Sequence, residues 1–392
     1  MGDTLQENVK PDVSTLSIPA EDLRRQYSQI EGELRQAIDR VLPSGRYVMG
    51  PDLAAFEQEF AAFCGTRFAI GVSNGTDALH LALAACEIGP GDEVITVPNT
   101  YIATAFAISY VGAIPVFVDV EPDTYNLNPA LLEGAITGRT RAILPVHLYG
   151  QPCDMEPILA IARKHGLRVI EDAAHAHGSF YRNVPTGSFG DIACFSFYPT
   201  KTFGAFGDAG AIVTSDADLD ARIRQLRYMG QKVKHDHEII GYQKRMDEIQ
   251  AAILRVKLRY LRDWIGRRQE IAARYGSLLA ETPVVAPYVA PDRTHSYYLF
   301  TVLAPRRSEL RNYLTELGIG TQIIYPLLVP DQPAYREQPI RCGPIPVARA
   351  LVEQILCLPM FPELRDKEIE QVTAAIRKFY SSTQKIKDAV TS

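Results

Sequence analysis

The sequence lacks a membrane-spanning segment and a strong charge of either sign. Its most apolar stretch, residues 105–118, is interrupted by Ser109, Gly112 and Pro115 and is too short to span a bilayer. With 41 basic and 46 acidic side chains, the net charge of −5 provides no basic surface for nucleic acid. The N-terminal residues are largely polar and lack the apolar core of a secretory signal. We therefore expect a soluble, cytoplasmic protein.

The sequence also lacks the common signatures of disulfide, metal and nucleotide sites. Its six cysteines are scattered without a CxxC pair, which indicates reduced thiols. Residues 171–177 contain two histidines, but no other close pair of His or Cys completes a metal site. Residues 71–79 lack the spacing of a nucleoside triphosphate loop, and residues 204–210 lack that of a dinucleotide fingerprint. Metal and nicotinamide chemistry are therefore disfavoured.

Short apolar runs alternate with helical patterns along the first half of the chain. This alternation predicts a mostly parallel sheet covered by helices on both faces. The predicted strands are residues 68–72, 93–97, 114–118, 142–146, 167–170, 192–197 and 211–214. Because ligands bind at the carboxyl ends of strands in such sheets, we expect Ser73, Asp172 and Lys201 to share one pocket.

A long helical pattern over residues 246–279 follows the predicted sheet. We interpret it as the bridge from a large α/β domain, residues 18–265, to a smaller C-terminal α+β domain, residues 266–392. In the C-terminal part we predict one strand and two helices, over residues 295–302, 306–317 and 367–379.

The most informative residue is Lys201, in a Ser/Thr/Gly-rich loop after a predicted strand. Asp172 ends an earlier predicted strand, where we expect His175 to hold it. Pyridoxal phosphate chemistry requires these residue types, because an amine forms a Schiff base with the aldehyde and a carboxylate keeps the pyridine nitrogen protonated. A lone loop lysine is usually a solvated charge, so the interpretation depends on the surrounding motifs.

Two further turns fit a cofactor of this kind. Residues 71–79 read as a strand, a turn of small residues and a helix, and N–H groups at a helix start can bind phosphate. An ordinary capped turn has the same pattern. Tyr101 follows the next strand, where an aromatic ring can stack on a flat cofactor or simply belong to the core.

With these residues assembled, the chain resembles the DegT/StrS family of sugar aminotransferases, which are fold-type I pyridoxal phosphate enzymes. The similarity covers almost all of the sequence. Its motifs are residues 44–51, 73–79, 90–94, 112–119, 145–150, 171–172, 195–201, 207–211 and 241–252. The resemblance implies an α/β fold with a mostly parallel, seven-stranded-type sheet between helices and a smaller C-terminal domain.

The resemblance implies a role for each candidate residue. Lys201 would form the Schiff base and then move a proton between substrate and cofactor carbons, and Asp172 would pair with the pyridinium nitrogen. Tyr101 would stack on the ring. The phosphate would be bound by Gly75, Thr76 and Ser196.

Three positions depart from the family pattern. His175 stands where many members carry glutamine, and its imidazole can still donate to the ring phenolate oxygen. Gln243 stands where an asparagine of the partner subunit usually reaches the phosphate, which implies a homodimer with composite sites. Residues 321–329 lack a histidine often found there, and this affects the expected substrate contacts.

The expected reaction is transamination from glutamate or glutamine to a keto group, at C3, of a nucleotide-linked (dTDP) deoxy sugar. The product would serve amino-sugar biosynthesis for a secondary metabolite, such as an antibiotic, or for a surface glycan. A keto-cyclitol of an aminoglycoside pathway is the alternative substrate, and a catalytically silent regulator is the alternative protein. Arg227, Lys232 and Lys234 could bind a nucleotide diphosphate or form a solvated charged loop.

Overall fold

The computed structural model describes residues 17–391, with side chains up to residue 382; the start of the chain, on which the cytoplasmic expectation partly rests, lies outside this range. Over the described residues the α-helices are α1 (Leu23–Val41), α2 (Pro51–Cys64), α3 (Gly75–Ala85), α4 (Ile102–Tyr110), α5 (Leu132–Ala135), α6 (Met155–His165), α7 (Ala217–Arg227), α8 (Glu248–Leu258), α9 (Leu261–Leu279), α10 (Arg307–Glu316), α11 (Pro346–Val352) and α12 (Asp366–Thr391). The strands are β1 (Phe68–Val72), β2 (Glu93–Thr96), β3 (Ile114–Phe117), β4 (Thr140–Ile143), β5 (Arg168–Asp172), β6 (Phe180–Tyr181), β7 (Val184–Pro185), β8 (Ile192–Ser196), β9 (Gly210–Thr214), β10 (Gln231–Val233), β11 (Asp236–His237), β12 (Phe300–Leu303), β13 (Arg341–Cys342) and β14 (Ile355–Leu358).

The central sheet has the strand order β1-β9-β8-β5-β4-β2-β3-β13 within the described residues. The strands from β8 to β13 in this order pair in parallel, whereas β9 is antiparallel to both β8 and β1. The predicted α/β class and mostly parallel sheet are confirmed. The strand β13 was not predicted, because its two residues become a strand only by pairing with β3.

Apolar residues fill both faces of the sheet because helices cover both. All four residues of β2 are buried, and so are all five of β9. Glu93 of β2 is the acidic exception, and it is paired with Arg139 and Arg341 at 2.6 Å each. A buried carboxylate is tolerated only when it is paired in this way.

Two sequence predictions need correction. The single helix predicted over residues 246–279 is interrupted between α8 and α9, where the N–H groups of Arg259 and Tyr260 bond to carbonyls three residues back. The predicted strand over residues 295–302 is confined to β12, because the preceding backbone is used elsewhere: the N–H of Ser296 donates to the carbonyl of Gly150.

The C-terminal part forms an apolar cluster of its own, between α9, α10, α12 and the two-stranded sheet β12–β14. Ile18, from the start of the described chain, packs into this cluster as well. The predicted helices over residues 306–317 and 367–379 correspond to α10 and α12. The domain boundary at residues 265/266 stays a prediction. Among residues 17–391, no helix is both long and apolar enough to cross a membrane.

Candidate active site

The carboxyl ends of neighbouring strands bring most of the predicted residues to one edge of the sheet. Asp172 ends β5, and Cys194 of β8 lies beside it in register, two residues before Ser196. Gly75 starts α3 directly after β1. An added side-chain carbon on Gly75 would lie only 2.6 Å from Cβ of Ser196, so these two predicted phosphate residues are in direct contact.

Asp172 is a buried carboxylate, 5% exposed. Its Oδ2 accepts a hydrogen bond from the Thr104 hydroxyl at 2.8 Å, and its Oδ1 accepts one from the N–H of Ala174 at 3.2 Å. Burial raises the pKa of Asp172, while these two hydrogen bonds and the nearby Lys201 amine act in the opposite direction. The expectation that His175 holds Asp172 was therefore wrong: Thr104 and the backbone after β5 hold it.

The amine of Lys201 lies in the same pocket, with Nζ 4.4 Å from the centre of the Tyr298 ring. Burial lowers the pKa of Lys201 to about 7, although the carboxylates of Asp172 and Glu21 partly offset this effect. A lysine of this kind can be neutral, and hence nucleophilic, close to neutral pH. The two predicted catalytic residues therefore lie within electrostatic range of each other.

His175 is buried beside them, at 4% exposure. The N–H of Tyr149 donates to its Nδ1 at 3.3 Å, so the neutral ring carries its proton on Nε2. Burial, with a smaller contribution from Lys201, holds the pKa of His175 well below its ordinary value. His175 is therefore a neutral donor through Nε2, which lies 3.4 Å from the Tyr325 hydroxyl.

Tyrosine rings connect the predicted residues into one wall. The Tyr298 ring lies 4.5 Å from the His175 ring, between centres, and also contacts Lys201. The Tyr325 ring lies 5.4 Å from the ring of Tyr101, which is 54% exposed at the start of α4. Sequence reasoning gave no role to Tyr149, Tyr298 or Tyr325. Only the packing of the C-terminal part against the sheet brings the last two here.

The N-terminus of α3 has the arrangement of an anion site. The Asn74 side chain accepts from the N–H of Asp77, and the Asn74 carbonyl accepts from that of Ala78. The cap therefore uses the third and fourth N–H groups of the helix rather than the first two, on Gly75 and Thr76. Such N–H groups, at the positive end of the helix dipole, bind phosphate.

Gln243 lies apart from the other predicted residues. Its side chain is exposed, and its backbone pairs with Tyr228 just beyond the β10–β11 hairpin. The prediction that Arg227 could bind a diphosphate was wrong. It is 2% exposed and donates to Glu57 at 2.6 Å and to the Gly71 carbonyl at 2.8 Å. Lys232 and Lys234 are exposed on the hairpin.

These residues fit pyridoxal phosphate. The absence of a side chain at Gly75 lets Ser196 pack against the start of α3, whose N–H groups can bind a phosphate. The buried Asp172 carboxylate can hold a protonated ring nitrogen. An amine of lowered pKa and a neutral imidazole donor line the same pocket. This combination on a mostly parallel α/β sheet is that of a pyridoxal phosphate-dependent enzyme.

Comparison with known proteins agrees with this class. A profile of the DegT/DnrJ/EryC1/StrS aminotransferase family matches residues 28–377, and the chain belongs to that family. It is 47% identical, over 93% of its length and 97% of the relative, to a dTDP-3-amino-3,4,6-trideoxy-alpha-D-glucose transaminase of Streptomyces venezuelae. It is 44% identical, over 93% of its length and 99% of the relative, to a "pleiotropic regulatory protein" of Geobacillus stearothermophilus.

The fold is also similar to that of solved aminotransferase structures. The crystal structure of S. venezuelae DesV in complex with a ketimine intermediate superimposes with a TM-score of 0.90 at 48% identity, over 92% of this chain and 98% of that one. The chain is therefore a pyridoxal phosphate-dependent aminotransferase. The individual roles of its site residues remain predictions.

Proposed function

We propose that this protein transfers an amino group from glutamate or glutamine to the C3 keto group of a dTDP-linked deoxy sugar. The observation that carries the transamination is the proximity of the Lys201 amine, whose pKa is lowered to about 7, to the buried Asp172 carboxylate. The name of the S. venezuelae relative, a dTDP-3-amino sugar transaminase 47% identical to this chain, supports the substrate. The same name supports amination at C3.

Each site residue then has a task suited to its surroundings. Pyridoxal phosphate, when bound, supplies an aldehyde for the amino group and a ring that accepts electrons. Lys201 would bind at the aldehyde, and its Nζ would hold or release a proton, for which a pKa of about 7 is well matched. Asp172 holds a proton on the ring nitrogen, and His175 donates from Nε2 to a ring oxygen.

The remaining site residues position the cofactor. The N–H groups of Gly75 and Thr76, with the Ser196 hydroxyl, bind the phosphate. Tyr101 covers one face of the ring, since its own ring is half exposed at the start of α4. Each of these roles follows from the family resemblance and is compatible with the described contacts.

We also propose a homodimer in which Gln243 reaches the phosphate in its partner's site. Large apolar side chains are exposed near this residue: Met229, Val233 and Ile240 are 44, 62 and 94% exposed. Side chains of this size exposed together are typical of a protein interface. The segment bearing Gln243 also pairs with Tyr228 and, at Arg245, with Val72 of β1, so that it is fixed to the sheet.

Two competing functions differ from the proposal in one property each. A keto-cyclitol aminotransferase would have no nucleotide diphosphate to bind. A silent regulator would bind no amino donor, and the name of the G. stearothermophilus relative is the observation that keeps this alternative in view. The complete set of amine, carboxylate and helix N-terminus favours catalysis.

The test is a spectroscopic titration of the cofactor-loaded protein. L-glutamate or L-glutamine should change the visible absorbance of the bound cofactor, and a dTDP-3-keto-deoxy sugar should restore it. Lys201→Ala should abolish the response. Lys164→Ala, which removes an exposed amine paired with Glu133 on the surface, is the matched control and should behave as wild type.

The outcomes separate the alternatives. Recovery of absorbance with a keto-cyclitol but not with the nucleotide sugar would replace the proposed substrate. Bound cofactor that responds to neither amino donor would favour the regulator. If absorbance recovers with a 4-keto sugar but not with a 3-keto sugar, amination occurs at C4 instead of C3.

A further inference from the structure

Thr104 has a hydrogen-bonding arrangement that sequence reasoning did not assign. Its hydroxyl lies 2.8 Å from Oδ2 of Asp172, and the Thr100 hydroxyl lies 2.8 Å from that of Thr104. Thr100 and Thr104 are 3 and 1% exposed, so solvent cannot replace either contact. Three buried side chains therefore form one hydrogen-bond chain that ends on the carboxylate.

The ionisation of Asp172 sets the direction of this chain. A carboxylate can only accept, so Thr104 donates to Asp172. Its single proton is then used, and the Thr104 oxygen accepts from the Thr100 hydroxyl. Threonine within a helix commonly donates to the carbonyl four residues back. Thr104 instead donates across to β5, although Thr100 is four residues before it.

The chain opposes the effect of burial on the carboxylate. Burial raises the pKa of Asp172, whereas the Thr104 hydroxyl stabilises the ionised form. The N–H of Ala174 binds the other oxygen at 3.2 Å, so that the two oxygens are held from two sides. A carboxylate held in this way has a fixed plane, and each of its oxygens keeps a lone pair for a further partner.

The same segment carries the ring that faces the pocket. Tyr101 lies between the two threonines in sequence and precedes the first residue of α4. The hydrogen bonds from Thr100 to Thr104 and from Thr104 to Asp172 therefore also fix the backbone that carries Tyr101. One short segment positions both the acid and the aromatic ring.

We propose that Thr100 and Thr104 are positioning residues that keep Asp172 ionised and aimed at the ring nitrogen of pyridoxal phosphate. The inference rests on the proposed role of Asp172. It predicts an effect that depends on the ring nitrogen itself, which a general contribution to folding would not have.

The test compares two cofactors on the apoprotein: pyridoxal phosphate and its deaza analogue, in which carbon replaces the ring nitrogen. Dissociation constants are measured by fluorescence titration. Thr104→Val should weaken the binding of pyridoxal phosphate by about tenfold, which corresponds to the loss of a hydrogen bond to a charged group. The same variant should weaken the binding of the analogue by less than about twofold. Thr104→Ser keeps the hydroxyl and should restore the wild-type ratio. Thr100→Val should give a smaller effect of the same sign.

Thr96→Val is the matched control. The Thr96 hydroxyl is equally buried and donates to the Leu144 carbonyl at 2.9 Å, away from Asp172. This variant loses one buried hydrogen bond and should change the affinities for both cofactors equally. Thermal unfolding of each apoprotein identifies any variant that has not folded, and Thr100→Val then replaces Thr104→Val as the deciding comparison.

Four results would count against the inference, and they lead to three different conclusions. If Thr104→Val weakens the binding of both cofactors equally, the hydroxyl only supports folding. The same conclusion follows if Thr104→Ser does not restore the wild-type ratio of the two affinities. An unchanged affinity for both cofactors overturns the positioning role directly. If Asp172→Asn leaves the wild-type preference for pyridoxal phosphate over the analogue intact, the proposed role of Asp172 is itself wrong.

Discussion

The amine of Lys201 lies 4.4 Å from the centre of the Tyr298 ring, where burial lowers its pKa to about 7. Tyr298 belongs to the C-terminal part of the chain. The packing of that part against the sheet therefore shields the amine from water. Removal of water disfavours the charged form of a lysine. The reactivity of this residue is therefore a property of the tertiary structure.

The first prediction concerns pH. The rate at which apoprotein captures pyridoxal phosphate should rise with pH up to about 7 and then level off, because the neutral amine reacts. Asp172→Asn removes a charge that raises the pKa of Lys201, so the midpoint of the rate increase in this variant should lie at lower pH. Stopped-flow absorbance across pH 5–10 measures both midpoints. A wild-type rate still rising at pH 9 would contradict the buried environment.

The same pKa predicts a change in stability. The folded value is below the ordinary 10.5, so the unfolded chain binds more protons between these values. The free energy of unfolding should therefore increase with pH from about 7 towards 10.5 for the wild-type apoprotein, relative to Lys201→Met. Denaturant titrations at several pH values measure the difference. A difference that is constant with pH would mean that the amine is solvated.

The second prediction concerns His175, a neutral donor through Nε2. His175→Gln keeps an N–H donor and should bind pyridoxal phosphate within about threefold of wild type, whereas His175→Leu should lose about tenfold. Equilibrium titration of the apoproteins gives both affinities. Equal losses for Gln and Leu would mean that the imidazole serves packing alone.

The third prediction concerns Gly75. Alanine there would bring its Cβ to 2.6 Å from Cβ of Ser196, so one element must shift, at a cost of about 1–3 kcal/mol. Cofactor binding should weaken more than tenfold as the first turn of α3 moves. Gly134→Ala is the control, since that Cβ meets nothing within 4 Å. Wild-type affinity in Gly75→Ala would place the phosphate elsewhere.

The fourth prediction concerns the proposed site shared between two subunits. Lys201→Ala and Gln243→Glu homodimers should both be impaired, the second because its carboxylate would repel the phosphate. A mixed dimer of the two should regain about half of the wild-type activity, because one of its two sites has both native residues. Mixed dimers purified through two different affinity tags provide the measurement. If each site were built from one chain, every site would carry one defect and activity would stay low.

The fifth prediction concerns stability away from the site. The Glu248 carboxylate accepts from the N–H groups of Gly50 at 2.9 Å and Leu53 at 3.3 Å, and so caps the start of α2. Glu248→Ala should cost about 3 kcal/mol, since buried N–H groups lose their partner. The exposed Glu281→Ala should change stability by less than about 0.5 kcal/mol. Urea unfolding compares them, and equal midpoints would refute the cap.

The sequence by itself determined the class of the fold and much of the candidate site. Short apolar runs that alternate with helical patterns are typical of a covered parallel sheet, and this alternation was sufficient to predict the strands that precede Asp172 and Lys201. A small-residue turn before a helix is compatible with either a phosphate site or an ordinary capped turn, and the resemblance to the family favours the phosphate at Gly75. These features depend on neighbours in sequence, and the structure contains the predicted strands and helix.

Only the tertiary structure decided what holds Asp172 and what surrounds Lys201. Thr104 lies 68 residues before Asp172, and Tyr298 lies about a hundred residues after Lys201, so no local pattern relates either pair. Arg227 was misassigned for the same reason, because its partner Glu57 is 170 residues away. Side-chain hydrogen bonds and pKa shifts depend on burial between distant segments, and burial exists only once the sheet and the C-terminal part have packed together.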